Sequence, residues 1–401
     1  MSVQSAAIFM RAMFCRMILF VRSVNIRPPI SSRYRGKIFK ERYPEDTMTR
    51  KKRIAVLLAG AFLGMSLMLG GCADKNTKIN EGMQAIEKLD YDAALALFEE
   101  AIVAKEDLEL AYRGQGLCYL GLTDYEQAIT SFEKALSNAG MFVSDVEVDI
   151  NYYLATAQYK NGNNAEALET LNAIAGMREK QAEVYYLRGL IKMESGEYEN
   201  AVSDLDRALA GSKGEPMMAI RIYQVFADYG YVQEGKSYLS SALKNHEDKM
   251  TDYEKGTVYY YLEDYESAKS YLEKAKSDSK KDDADIVLML GKTYEQLGDS
   301  NYAASVYMQY IDNVGPHPAM YNQLGLCKLE VKEYEAALNA FDSGLAIESG
   351  NDYVQQLRFN QIVAYEYLGE FERAASLMNG YLASYPDDAQ AVREYEFLRT
   401  R

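Results

Sequence analysis

The sequence predicts an all-α solenoid of about nine helical hairpins with a closing helix, and three observations predict it. A small residue recurs at Ala94, Ala128, Ala167, Ala201, Gly235, Ala268, Ala303, Ala337 and Ala374, in steps of 34, 39, 34, 34, 33, 35, 34 and 37 residues. A second small column, at Gly82, Gly116, Ala155, Gly189, Gly256, Gly291 and Gly325, precedes the first by about twelve residues, and a polar turn lies between them. The 401-residue chain holds only 7 Pro and 27 Gly, a composition that suits long helical stretches.

Each column has a steric reason. A small side chain on each of two crossing helices lets their backbones approach closely. Tyr91, Tyr125, Tyr198, Tyr265, Tyr334 and Phe371 follow the turn and are expected to plug the hairpin end. Phe98, Phe132, Leu171, Leu205, Leu239, Leu272, Tyr307, Phe341 and Met378, four residues after the small residue, are expected to pack toward the next hairpin. Neighbouring hairpins would then supply the core.

Two hairpins depart from the pattern. The fifth has Tyr223 in the first column and Gly235 in the second, and the ninth has Ile362 in the first. The longer steps predict insertions around Ser137–Val148 and Glu348–Asp352. Val392, Tyr395 and Leu398 at helical spacing predict a capping helix over 387–401.

A period near 34 with small-x₃-large in the second helix resembles the tetratricopeptide repeat (TPR) family, and the resemblance covers residues 73–386. It implies a right-handed α-α superhelix whose first helices line a concave surface that holds ligands. On that face fall Tyr152, Tyr159, Tyr186, Tyr253, Tyr260, Tyr261, Phe359 and Tyr367, the expected partner-binding residues. Leu117, Leu120, Leu190, Leu326 and Leu329 lie among them, with Glu194, Asp228, Glu330 and Glu366 as acidic neighbours. Rigid aromatics offer contact area at low entropy cost. Tyr119, Tyr259, Tyr294 and Tyr365 are assigned to the hairpin cores instead.

The N-terminal region carries a different message. Arg50-Lys51-Lys52-Arg53 precedes an apolar run from Ile54 to Leu69, followed by Leu69-Gly70-Gly71-Cys72. A basic head, an apolar segment too short to span and a small-residue cleavage site describe an export signal over residues 48–72. Leu-Gly-Gly-Cys in that setting resembles the lipobox of bacterial lipoproteins, which implies lipidation of Cys72 and attachment to the extracytoplasmic face of a membrane. Only Ala73 and Asp74 would separate the anchor from the first hairpin, a reach of at most ~7 Å. Residues 1–47 fit neither plan; translation is expected to start at Met48, leaving them as a non-native or disordered extension.

Charge narrows the partners. Net charge is −15 overall, but residues 1–72 hold 13 Lys/Arg against 3 Asp/Glu, so the remainder carries −25. An acidic body repels nucleic acid and favours basic protein or peptide partners. Four cysteines and two histidines show no metal-ligand spacing, so no metal and no cofactor is expected. Cys118 and Cys327 occupy equivalent first-helix places six hairpins apart and are expected to be buried free thiols.

One motif misleads. Gly230-Tyr-Val-Gln-Glu-Gly235-Lys236-Ser237 satisfies the G-x₄-G-K-S pattern of phosphate loops, which needs a strand before it and free amides within it. The repeat frame instead puts Gly230 on a turn and Gly235 inside a helix, so no nucleotide is expected. No catalytic constellation is present either. The function expected is a non-enzymatic, membrane-anchored scaffold for protein or peptide partners. The alternatives are a solute or glycan receptor and a regulatory subunit of an envelope hydrolase.

Overall fold

A computed structural model describes residues 76–140, 143–177, 181–279, 283–347, 353–386 and 388–400. The expected extension, signal segment, lipobox and Cys72 lie outside the described residues, as does the insertion at 348–352. Within them the protein is an all-α solenoid of nineteen α-helices without a strand, arranged as nine hairpins and a final single helix.

The hairpins are α1/α2 (Thr77–Glu87, Tyr91–Val103), α3/α4 (Leu108–Gly121, Tyr125–Ser137) and α5/α6 (Asp145–Lys160, Asn164–Met177). Next come α7/α8 (Ala182–Glu194, Tyr198–Gly211), α9/α10 (Pro216–Asp228, Val232–His246) and α11/α12 (Asp252–Tyr261, Tyr265–Asp278). The last are α13/α14 (Ala284–Gln296, Ser300–Asn313), α15/α16 (Pro318–Glu330, Tyr334–Leu345) and α17/α18 (Val354–Tyr367, Phe371–Ser384), covered by α19 (Ala389–Leu398). The 39-residue step is partly taken up by α5, which at 16 residues is the longest helix.

All nine inter-helix turns share one geometry. A residue with positive φ sits at each: Leu89, Thr123, Gly162, Gly196, Gly230, Glu263, Gly298, Lys332 and Gly369. Around it two backbone bonds close the helix, as where Leu89 N–H donates to Ile86 C=O at 2.9 Å and Asp90 N–H to Ala85 C=O at 3.0 Å. This satisfies carbonyls that the helix end leaves open, in the Schellman pattern. The next residue starts the following helix. Asp90, Asp124, Asp264 and Asp299 do so as side-chain caps, accepting from the N–H three residues on.

Both small columns are where close approach demands them. A Cβ on Gly189 or Gly256 would lie 3.2 Å from the carbonyl oxygen of Ala201 or Ala268 on the partner helix. Ala94, Ala128, Ala167, Ala201, Ala268, Ala303, Ala337 and Ala374 are all fully buried.

Two packing expectations need correction. The large residue four places after the alanine lies over the glycine of its own hairpin, not solely toward the next one. Phe98 fills the space above both Gly82 of its own hairpin and Gly114 of the following one. The residue after each turn likewise reaches forward. Tyr91 rests against Gly121, Tyr198 against Tyr231 at 4.5 Å and Tyr334 against Tyr367 at 5.2 Å, each in the next hairpin. Both rows thus stitch neighbours together, which is how an array whose contacts run between adjacent hairpins gains its core.

In the fifth hairpin the two columns exchange sizes. A Cβ on Gly235 would lie 3.0 Å from Tyr223 Cδ2 and from Phe226 Cβ, so large meets small with the helices reversed. Cys118 and Cys327 are buried and free, as expected, and burial pushes the Cys118 thiol up to about 12.

Candidate functional site: the face of the first helices

First helices of successive hairpins touch each other directly, whereas second helices do not come into comparable contact. The array therefore curves with its first helices on the inner side. On that side a ladder of polar contacts runs from hairpin to hairpin. Arg113 pairs with Asp149, with Nε–Oδ2 at 2.8 Å, and Arg221 Nη1 donates to Glu183 at 2.7 Å. Gln224 Nε2 donates to Tyr261 Oη at 2.6 Å, and Asn360 Nδ2 to Asn322 at 2.8 Å. Buried polar groups carry a penalty unless paired, so these rungs also fix the rotation of each hairpin on the next.

The expected binding residues divide by place. Tyr159 and Tyr186 are each only 8% exposed. Arg221 lies across the Tyr186 ring at 3.9 Å, and together with Glu183 and half-buried Tyr152 they form a packed cluster joining α5, α7 and α9. A guanidinium stacked on an aromatic face while paired to a carboxylate satisfies charge and apolar surface together. Burial, then the charge of Glu183, holds the Tyr152 hydroxyl well above its ordinary range. These three tyrosines are wall, not open ring faces. Leu117, Leu120 and Leu190 are buried as well.

Tyr253, Tyr260 and Tyr261 are half-buried, and the structure brings them together on α11. Tyr261 lies 5.3 Å from Tyr260 and 4.8 Å from Tyr223, and Tyr260 lies 5.6 Å from Tyr265. Burial raises the hydroxyls of Tyr253 and Tyr260, so both stay neutral. Beyond them Lys292 and Glu295 sit on α13. Burial lowers Lys292, and it raises Glu295 although Tyr307, Cys327 and Gln323 donate toward its carboxylate. Phe359, half-buried, is edge-on to Tyr381, and Tyr367 is 60% exposed with one face stacked on Tyr334. The predicted set is therefore not one patch: Tyr152, Tyr159 and Tyr186 are packed into hairpins three and four, Tyr253, Tyr260 and Tyr261 share α11 of hairpin six, and Phe359 and Tyr367 lie apart in hairpin nine.

Sequence reasoning passed over Arg113, Arg188 and Arg221. Arg188 bonds both oxygens of buried Asp204 and Asn172 Oδ1 at 3.0 Å, linking α7, α8 and α6. An arginine near the middle of an apolar first helix was the available signal.

The phosphate-loop pattern has no such geometry. Gly230 has φ +86° on a turn, and Gly235 N–H donates to Tyr231 C=O at 3.0 Å within α10. The amides of Gly230, Tyr231 and Gly235 are engaged in turn and helix bonds, and the helix α9, not a strand, precedes the segment.

Family models for the tetratricopeptide repeat match residues 79–140, 152–216 and 251–277. Among curated proteins the chain is similar to a TPR repeat-containing protein of Methanocaldococcus jannaschii, 21% identical over 246 residues that cover 58% of this chain and 42% of that protein. It is also similar to a Drosophila melanogaster homolog of BBSome complex member BBS4, 27% identical over 126 residues, 31% of this chain and 25% of that protein. The chain thus spans less than half the length of either relative. Among solved structures, a tetratricopeptide repeat protein from Parabacteroides merdae aligns at 15% identity with TM-score 0.43, covering 64% of this chain and 99% of that one. MamA from Desulfovibrio magneticus aligns at 17% identity with TM-score 0.38, covering 45% and 99%. With these matches falling on hairpins one to four and six, the chain carries tetratricopeptide repeats built into an all-α solenoid.

Proposed function

We propose that this chain is a non-enzymatic scaffold that holds protein or peptide segments along the inner face of its repeats, attached by lipid on Cys72 to the extracytoplasmic side of a bacterial membrane. Tetratricopeptide repeats generally serve protein binding. The observation that carries the reading for this chain is the aromatic cluster of Tyr253, Tyr260 and Tyr261 on α11, continued by Tyr223 and Tyr265 across hairpins five and six. Partly buried tyrosines held in place by the core they pack against give contact area with little ordering cost. The acidic balance of the mature region favours partners rich in Lys and Arg.

The anchor rests on the basic head, apolar run and Leu-Gly-Gly-Cys in sequence. Two acyl chains on one cysteine would hold the protein stably where a single chain would not.

Alanine at Tyr253, Tyr260 and Tyr261 together should abolish crosslinking of partners in intact cells while leaving the helical circular dichroism unchanged. An unchanged crosslinking pattern from this variant overturns the groove. Cys72→Ala should move the protein from the detergent phase to the aqueous phase and remove labelling by a radioactive fatty acid; persistence of either overturns the anchor.

A further inference from the structure

Hairpins four and five meet loosely, as hairpins five and six also do. α8 and α9 touch over far less of their length than the equivalent helices at most other junctions. The gap leaves a cleft of about 450 Å³ between the two hairpin turns, lined by Met193, Glu194, Tyr198, Asp228, Tyr229 and Tyr231 with the turn glycines Gly196 and Gly230.

The chemistry of that cleft is specific. Its lining includes Met193 and a pair of tyrosine rings, Tyr198 and Tyr231, packed at 4.5 Å. Two enclosed polar atoms of its lining residues lack hydrogen-bond partners, Glu194 Oε2 and Tyr229 Oη, although Tyr159 hydrogen-bonds the Glu194 carboxylate. Leaving such groups unpaired is costly. Burial, followed by the charges of Glu194 and Asp228, raises the Tyr229 hydroxyl, so it remains a neutral oxygen able to accept a bond. A carboxylate acceptor, a phenol oxygen and ring faces together match a group that donates several hydrogen bonds and carries positive charge. The region already draws one cation of its own: Lys160, from hairpin three, lies over the Tyr159 ring at 6.0 Å.

We propose that this cleft is a seat for a Lys or Arg side chain of a bound peptide, whose ammonium or guanidinium donates to Glu194 Oε2 and Tyr229 Oη while its stem lies along Tyr198 and Tyr231. This rests on the scaffold reading and extends it, because it supplies a charged anchor point beside the aromatic cluster of the next hairpin. The gap between α8 and α9 gives the seat an opening that tighter junctions lack.

Fluorescent decapeptides of lysine, arginine and glutamine, titrated against the full chain in detergent, test it. The lysine and arginine peptides should bind, the glutamine peptide should not, and Glu194→Gln and Tyr229→Phe should each weaken binding about tenfold. Glu126→Gln, a charge removed from the exposed side of hairpin two, should change it less than about twofold. Equal losses from Glu194→Gln and Glu126→Gln mean general attraction to an acidic body, and overturn the seat. Binding of spermidine as tight as that of the lysine peptide overturns a peptide side chain as the occupant. Loss only in the Tyr253/Tyr260/Tyr261 variant overturns the seat while leaving the groove standing, so the two readings fail separately.

Discussion

A methyl group on Gly291 would lie 2.2 Å from Cζ of Tyr307. Tyr307 is fully buried, and its hydroxyl donates to Glu295 at 2.6 Å, so the ring has no free direction in which to move. The absent side chain of one helix is thus the space occupied by the largest buried side chain of the other.

Gly291→Ala should therefore destabilise the protein by about 1–3 kcal/mol or more, through overpacking. Gly380→Ala, in a helix with open space around its Cβ, should stabilise by about 0.5–1 kcal/mol. Urea denaturation of both variants followed by circular dichroism separates them, and equal effects would refute the steric account.

Turn residues offer an opposite substitution. Leu89, Thr123, Glu263 and Lys332 hold φ between +60° and +69° where five other hairpins have glycine. The left-handed region costs an L-residue about 1–2 kcal/mol, against about 0.5–1 kcal/mol of extra chain entropy lost by glycine. Lys332→Gly should consequently raise the denaturation midpoint slightly, whereas Gly298→Ala should lower it.

Arg188 and Asp204 form a buried pair, with Lys192 Nζ 2.7 Å from the same carboxylate. Removing one partner of such a pair costs about 3–5 kcal/mol, since the other charge stays buried. Arg188→Met should reach that range, and Arg188→Met with Asp204→Asn should recover part of it in a double-mutant cycle. Burial alone would push the Asp204 carboxyl up; the hydrogen bonds and charges of Arg188 and Lys192 prevail and hold it below the ordinary range. Its contribution is full above the ordinary carboxylate range and is lost as pH falls through that lowered value.

Glu366 behaves in the opposite sense. Burial, then the charge of Glu394 on the capping helix, raises its carboxyl to about 7. The folded state keeps a proton there that the unfolded chain releases, so unfolding becomes easier as pH rises from about 4.5 toward about 7. Amide exchange in α19 should be faster at pH 8 than at pH 5, beyond the intrinsic rate change, and Glu366→Gln should remove the difference. An unchanged difference in Glu366→Gln would assign it elsewhere.

The hairpins were legible in sequence because their requirement is local: Gly116 and Ala128, or Gly325 and Ala337, must be small, and repetition makes the columns visible. The five turn glycines and the capping aspartates carry equally local demands. The inner face was less legible. Tyr186 stands in the right register for exposure, yet it is covered because Arg221 crosses from the next hairpin and is held there by Glu183. Arg113–Asp149 and Asn322–Asn360 join residues 36 and 38 positions apart with no repeating signature, so only the packed array reveals them. The cleft beside Glu194 arises from a weak junction, a property of two hairpins jointly.

The exchange of Tyr223 and Gly235 bears on how such a chain can be rearranged. If α10 alone replaced another second helix, Gly235 would face a glycine or alanine and leave a void. If α9 alone replaced another first helix, Tyr223 would drive into an alanine-filled crossing. Moved together, the two helices carry their own fit with them. Recombination or engineered shuffling of this array should therefore tolerate breakpoints between hairpins and reject those at the fifth hairpin's internal turn.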